Sequence, residues 1–233
     1  GISIPYFWAI NNDKNFTLTS KLYINENPLL LGEYNQAFKN SSFLTDFGYT
    51  EGYKNNTVKK KAGNKSHLFS KFTKKIKSEN NSDTSFGFLL QEVSNDKYLK
   101  LYKINSNLVD YNTNTLENSL DFTHEKEDAF VGINASVYET LKDNYEDKYE
   151  YILPEITYEK NLLSDEKIGL LNYQANYKIR KYDTNKYTNF FINDLNWNSN
   201  LINYESGLVS NFLTNVKNIN YETKNETLYK KNT

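Results

Sequence analysis

The 233-residue chain has no cysteine, which excludes disulfide frameworks, thiolate metal sites and cysteine nucleophiles. Its net charge of −1 gives no long-range field to attract nucleic acid, so no nucleic-acid partner is expected. The one basic run, Lys59–Lys61, is interpreted as a solvated loop. No apolar run reaches the length of about 20 residues that a membrane-spanning helix needs. Methionine is absent even at position 1, which indicates a fragment of a longer protein.

The chain also has few of the side chains that perform chemistry. Its two histidines, His67 and His124, stand far apart with no carboxylate at ligand spacing, so both are interpreted as solvated or lumen side chains. No nucleophile, general base or carboxylate pair stands out from the polar background. The sequence therefore predicts neither an enzyme, nor a metal site, nor a cofactor.

An apolar/polar alternation with a period of two runs through most of the chain, as in LNYQANYKIR at 171–180. One set of side chains there comprises Leu171, Tyr173, Ala175, Tyr177 and Ile179, and the other comprises Asn172, Gln174, Asn176, Lys178 and Arg180. The same alternation occupies 15–24, 129–138 and 149–158. Alternation over about ten residues indicates strands whose two faces meet different environments.

Polar links rich in Asn, Asp, Ser and Gly separate these stretches and indicate turns. Short turns are predicted at 11–14, 25–28, 39–42, 183–185 and 196–200, and longer polar links near 54–66, 77–83, 106–114 and 139–148. No helical insertion is long enough for a parallel crossover. The sequence therefore predicts an all-β, antiparallel up-and-down meander of roughly twelve to fourteen strands.

The length of the strands favours a transmembrane β-barrel, because a tilted membrane strand needs about 9 to 11 residues, against about 5 to 6 in soluble sheets. The mean hydropathy of −0.77 is compatible with this, since only one face of such a strand meets lipid. Aromatic residues near strand ends would form interfacial girdles, namely Tyr6, Phe7, Trp8, Tyr182, Tyr187 and Trp197. A soluble antiparallel sheet with one wet face explains the alternation equally well.

Three segments carry a resemblance to a known family. IPYFWAINNDKNFTLTSKLY at 4–23, EVSNDKYLKLY at 92–102 and LPEITYE at 153–159 resemble, in family order, the barrel of the lipopolysaccharide-assembly outer-membrane protein family (LptD, organic solvent tolerance protein). Two positions depart from the family pattern. Asn95 replaces the usual aspartate after Ser94, and Ser20 stands where many members carry a second gate proline.

The resemblance implies that residues 1–233 form the first half of a barrel of about 26 strands in the outer membrane of a Gram-negative bacterium. A periplasmic jelly roll would precede it. The implied partners are lipopolysaccharide, the plug lipoprotein LptE, the periplasmic bridge protein LptA and outer-membrane lipid. The implied function is delivery of lipopolysaccharide to the outer leaflet through a hydrated lumen and a lateral seam at the first strand.

Particular residues take roles under this interpretation. Pro5 lacks an N–H and would weaken the seam, with Ser20 beside it at the gate. The sequence alone favours a proline that simply starts an edge strand, and the family resemblance reverses this preference. The odd positions of 171–180 would face lipid. Lumen-lining candidates are Lys21, Asn172, Gln174, Asn176, Lys178 and Arg180, which would either bind sugars and phosphates or merely solvate the interior and contact the plug. A passive outer-membrane channel and a soluble extracellular glycan-binding sheet are the alternative functions.

Overall fold

The computed structural model describes residues 1–55, 62–78, 81–142, 145–183 and 185–228, and within them the chain is almost entirely β-structure. The predicted solvated loop at Lys59–Lys61 lies outside the described residues. The strands and the single helix are β1 (Ile2–Asn11), β2 (Lys14–Leu22), β3 (Leu29–Ala37), β4 (Ser41–Gly52), β5 (Ala62–Lys77), β6 (Ser82–Val93), α1 (Tyr98–Tyr102), β7 (Thr115–Lys126), β8 (Ala129–Thr140), β9 (Tyr149–Asp165), β10 (Gly169–Tyr182), β11 (Lys186–Asn198), β12 (Ile202–Asn203), β13 (Val209–Ser210) and β14 (Leu213–Lys224).

Twelve strands form one sheet in which spatial order follows chain order, from β1 through β11 to β14. The remaining two, β12 and β13, pair with each other in the link between β11 and β14. The predicted all-β antiparallel meander is therefore confirmed. Among the described residues the large sheet has two edge strands, β1 and β14, so closure into a barrel remains a prediction.

The strands occupy the stretches that alternate in the sequence. Strand β8 covers the predicted 129–138, and β10 covers 171–180. The predicted turn at 196–200 is wrong at its start, because β11 continues to Asn198 with Trp197 opposite Leu171 of β10. Backbone pairing with β10 therefore extends the strand there, despite the preference of an Asn-rich segment for a turn. The link predicted at 183–185 does separate two strands, since β10 ends at Tyr182 and β11 begins at Lys186. Asp183 and Asn185 have positive φ angles of 31° and 68°, as turn residues often do, and residue 184 lies outside the described residues.

The chain divides into two compact units. The first contains Gly1–Lys75, Gly87–Leu120 and Val137–Tyr149, and the second contains Ile76–Phe86, Asp121–Ser136 and Glu150–Thr233. No helix among the described residues is long and apolar enough to cross a membrane.

The first unit holds the hydrophobic core. Its members are Leu29, Phe69, Tyr98, Leu99, Tyr102, Ile104, Val109, Leu116 and Leu141. Five of these lie between β6 and β7, in residues 94–114, hereafter the covering segment. The prediction of a polar link at 106–114 is wrong for Val109, which is buried. The covering segment folds onto the strands because α1 presents Tyr98 and Tyr102, one helical turn apart, to the sheet.

Candidate functional site

The first unit's sheet has one exposed apolar face. The registers of β1 to β5 place the following large side chains on one side: Ile2, Ile4, Tyr6, Trp8, Leu18, Leu22, Leu30, Phe47, Tyr49 and Leu68. Each is between 37% and 68% exposed. This set is hereafter the apolar face. A water-soluble sheet normally turns such a face toward its core.

The opposite side of the same strands is the polar face, and the covering segment buries part of it. Register pairs Gly48 with His67 and Thr50 with Lys65, and all four residues are buried. Leu29 and Phe69 contribute the apolar floor on which the covering segment packs. In this unit part of the polar side is covered, whereas the apolar side is open.

A chain of hydrogen bonds connects the polar face to the covering segment. His67 Nε2 lies 2.5 Å from Asp46 Oδ1, and His67 Nδ1 lies 3.2 Å from the Tyr98 hydroxyl. A carboxylate only accepts, so His67 Nε2–H donates to Asp46, and the Tyr98 hydroxyl is the hydrogen-bond partner of Nδ1. The imidazole also stacks on Phe69 with ring centroids 4.5 Å apart. This buried arrangement fixes α1 on the sheet.

His67 is 4% exposed, so the first of its two interpretations, a solvated side chain, is wrong, and the second, a lumen side chain, stays a prediction. Its carboxylate partner, Asp46, comes from the neighbouring strand β4, 21 positions earlier in the chain, so spacing around His67 does not reveal the pair. The alternation of apolar and polar residues could have predicted that both side chains share a face. His67 stands next to Leu68 and Asp46 next to Phe47, and the two apolar residues pair on the apolar face, so His67 and Asp46 project to the polar face. The other histidine, His124, is half-buried and lies 2.9 Å from the Thr84 hydroxyl.

Three tyrosines gather around a cavity of about 460 Å³ at the carboxyl end of α1. Tyr53 stacks on Tyr102 at 5.6 Å between ring centroids, and Tyr23 meets Tyr102 at 6.3 Å. Burial is the main cause that raises the pKa of Tyr23, Tyr53 and Tyr102. The phenols are therefore neutral at physiological pH and form an aromatic wall in which Tyr102 is buried and Tyr23 and Tyr53 are half-buried.

One salt bridge and one amide hydrogen bond hold the covering segment at two points, Asp96 and Asn107. Lys148 Nζ lies 2.5 Å from Asp96 Oδ2, which also raises the pKa of Lys148. Asn107 Nδ2 donates to Glu33 Oε2 on the polar face at 3.1 Å. The segment is thus held by polar contacts around an apolar centre.

The two predicted gate residues lie close together at the first edge of the sheet. Pro5 pairs with Thr19, and the adjacent pair joins Ile4 to Ser20. Paired residues share a face, so Ser20 is on the apolar face whereas Pro5 is on the polar one. Pro5 belongs to an edge strand among the described residues, which also satisfies the simpler interpretation of this proline. Lys21 lies on the polar face, opposite Leu29.

In the second unit, the five predicted lumen-lining residues of β10 each meet a polar partner on β9. The pairs are Asn172 with Asn161 at 3.1 Å, Gln174 with Glu159 at 2.8 Å, Asn176 with Thr157 at 3.1 Å, Lys178 with Glu155 at 3.1 Å, and Arg180 with Glu150 at 2.6 Å. This set is hereafter the polar ladder. Each of its two cations, Lys178 and Arg180, is paired with a glutamate, and Glu159 adds a third carboxylate, so the ladder carries no excess of positive charge.

The other side of β10 carries the predicted lipid-facing residues, which are Leu171, Tyr173, Ala175, Tyr177 and Ile179. All five are half-buried by neighbouring strands. The Tyr173 hydroxyl donates to Asn193 at 2.7 Å, and the Tyr177 ring meets Phe191 at 6.4 Å. Asn193 shows that this side includes amides on β11, so the separation of apolar and polar side chains is less complete here than in the first unit.

The comparisons with known proteins add no relative. No family model matches the chain, and no curated protein matches it. The described residues also contain no group of three or more His, Asp and Glu side chains arranged to hold a metal ion. The functional argument therefore depends on the faces of the sheet, its edge and the polar ladder.

Proposed function

We propose that this chain forms part of the wall of an outer-membrane β-barrel, with the apolar face of the first unit against lipid. The observation that carries the proposal is the inverted arrangement of the two faces: Trp8 and Phe47 are open, while Asp46 and His67 are buried. Burying about 25 cal/mol per Å² of such an apolar surface in hydrocarbon would be strongly favourable. In water the same surface would promote aggregation.

Within that wall, we assign the chain to delivery of lipopolysaccharide to the outer leaflet. The resemblance of three segments to the LptD family supports this assignment, and a plug lipoprotein is then the partner in the lumen. Lipopolysaccharide joins phosphorylated sugars to acyl chains, and moving either end through the wrong solvent is costly. Polar side chains such as Gln174 would accompany the sugars, while a seam at Pro5 would let the acyl chains remain in hydrocarbon.

A passive outer-membrane channel is the second candidate, and one observation favours it. Lys178 and Arg180 are each paired with a glutamate, so the ladder presents little unpaired positive charge to a phosphate. A lumen lined in this way suits neutral solutes. Lipopolysaccharide delivery then requires that the sugars use amide groups rather than these two cations.

Quenching of tryptophan by lipid tests the membrane location. The full chain, carrying Trp197→Phe so that only Trp8 remains, is inserted into vesicles of phosphatidylcholine brominated in its acyl chains. We expect strong quenching of Trp8. The matched control exchanges two neighbours, Phe7→Trp and Trp8→Phe, which moves the indole to the polar face at constant composition. Equal quenching of the two proteins, or a chain that stays in the aqueous phase, overturns the proposal.

Photo-crosslinking in cells separates the two candidate functions. A photoreactive phenylalanine replaces either Gln174 on the polar ladder or Ala175 on the opposite side of β10. Delivery of lipopolysaccharide predicts adducts with its sugar portion at 174 and adducts with membrane lipid at 175. A passive channel predicts no lipopolysaccharide adduct at 174.

A further inference from the structure

Four side chains of the second unit form a row across four consecutive strands of the sheet. Lys181 of β10 pairs with Tyr151 of β9 on one side and with Tyr187 of β11 on the other, and Tyr187 pairs with Lys224 of β14. Directly paired residues of an antiparallel sheet project to the same face, so all four share one side. That side is the one that carries Ile179, opposite the polar ladder.

A cavity of about 360 Å³ adjoins this row and is lined by Tyr151, Leu153, Ile179, Lys181 and Tyr187. This volume is within the range of small-molecule sites, which is about 300 to 1,000 Å³. The lining divides into two parts. Leu153 and Ile179 supply an aliphatic floor, and Lys181 with the two tyrosines supplies a polar rim.

The charges around the rim favour an anionic ligand. Lys181 makes no ion pair within the described part of the chain, in contrast to Lys178 and Arg180 on the other face. Lys224 is held by Glu222 at 3.2 Å and lies 5.4 Å from the centre of the Tyr187 ring. Glu222 therefore offsets Lys224, and Lys181 remains as the cation that a ligand can neutralise.

We propose that this cavity binds an amphiphile with a phosphate head, its phosphate on Lys181 Nζ and its first methylene groups along Leu153 and Ile179. A lysine ammonium binds phosphate as a point charge, and phenol hydroxyls on either side can donate to the remaining oxygens. Tyr and Lys together at the end of an apolar face are also the side chains that anchor proteins at the lipid headgroup level. The site deepens the proposed function, since it requires this face to meet lipid.

The probe is dodecyl phosphate, titrated into the full chain in dodecyl maltoside micelles and followed by phosphorus NMR. We expect Lys181→Gln to weaken binding about tenfold, as loss of a charge-assisted hydrogen bond does. Lys181→Arg should retain most of the affinity. The matched control is Lys167→Gln, in the turn at the other end of the β9–β10 hairpin, which removes the same charge and should change nothing.

A second variant tests the apolar floor. Leu153→Asn should weaken the binding of dodecyl phosphate but leave the binding of inorganic phosphate unchanged. Equal affinity of the wild type for inorganic and dodecyl phosphate would mean that the site binds a water-soluble anion, and it would contradict the proposal that the ligand is an amphiphile. Equal effects of Lys181→Gln and Lys167→Gln would overturn the site altogether. Lipid quenching of Trp8 in the chain that carries only Trp197→Phe distinguishes the two levels. Quenching without dodecyl phosphate binding by that chain contradicts only the site, whereas loss of quenching contradicts the proposed function.

Discussion

The polar side chains of the first unit's polar face and those of the second unit's polar ladder find their hydrogen-bond partners in different ways. In the first, Asp46, His67 and Tyr98 are joined across two strands and the covering segment, in a place from which water is excluded. In the second, partners such as Gln174 and Glu159 sit side by side on neighbouring strands and stay half-exposed.

This difference decides how much each group matters for stability. A buried donor that loses its acceptor has no water to replace it, whereas a half-exposed one is solvated again at little cost. The first unit should therefore respond strongly to single polar substitutions and the second weakly. It also follows that the ladder can exchange its protein partners for ligand groups, while the buried chain of hydrogen bonds cannot.

The largest effect should come from Tyr98→Ala, which removes a fully buried ring and its hydrogen bond to His67. We expect the free energy of unfolding to fall by about 3 to 5 kcal/mol, as for other buried aromatics. Urea unfolding of the full chain in detergent micelles measures it. Tyr98→Phe keeps the ring and should cost only about 1 kcal/mol. Wild-type stability of Tyr98→Ala would show that the covering segment contributes nothing to the first unit.

Removing one carboxylate from each region tests the comparison directly. Asp46→Ala leaves the buried His67 Nε2–H without its acceptor and should cost about 1 to 3 kcal/mol. Glu159→Ala leaves Gln174 half-exposed to water, and its cost should stay within about 0.5 kcal/mol. The same unfolding measurement serves for both variants. Equal costs would mean that the two regions do not differ in solvent access as their exposures indicate.

Alkaline pH should destabilise the first unit through Tyr102. Burial, and secondly the neighbouring Tyr53, raises the pKa of Tyr102 from 10.0 to about 12. The folded state thus holds this proton more tightly than the unfolded state, so the stabilisation is complete below pH 10 and is lost between pH 10 and about 12. We expect a loss of about 1 to 2 kcal/mol across this window. Unfolding curves at both limits should show a smaller loss in Tyr102→Phe, and an equal loss would contradict the assignment.

A smaller effect than that at Tyr102 is expected at the edge strand β1, outside the area that the covering segment buries. Pro5→Ala restores one N–H donor, worth about 0.5 to 1.5 kcal/mol if it forms a ladder bond. In cells we expect a tighter seam, slower lipopolysaccharide export and more cross-linking across β1. Pro28→Ala, in the link between β2 and β3, is the matched control. Unchanged export and unchanged cross-linking in Pro5→Ala would contradict a role of this proline in the proposed gate.

Much of the sheet could be predicted from the alternation of residues, and the site could be predicted only in part. The ladder residues Asn172 to Arg180 were expected on one side of β10, and they are there. Their partners, such as Glu150 for Arg180, were not foreseen, because the register shift between β9 and β10 beside Pro154 is not visible in the sequence. The covering segment was missed since polar residues surround its few buried ones.

The amino-acid sequence by itself determined which side chains share a face, because successive residues of an extended strand project to opposite sides whatever they contact. Tertiary structure alone decided which face is covered, and by what. Burial of His67 depends on the covering segment, whose Tyr98 is 31 positions away in the chain, and its hydrogen bond to Asp46 depends on the register of β4 with β5. Such contacts form between residues distant in sequence, so no local pattern records them.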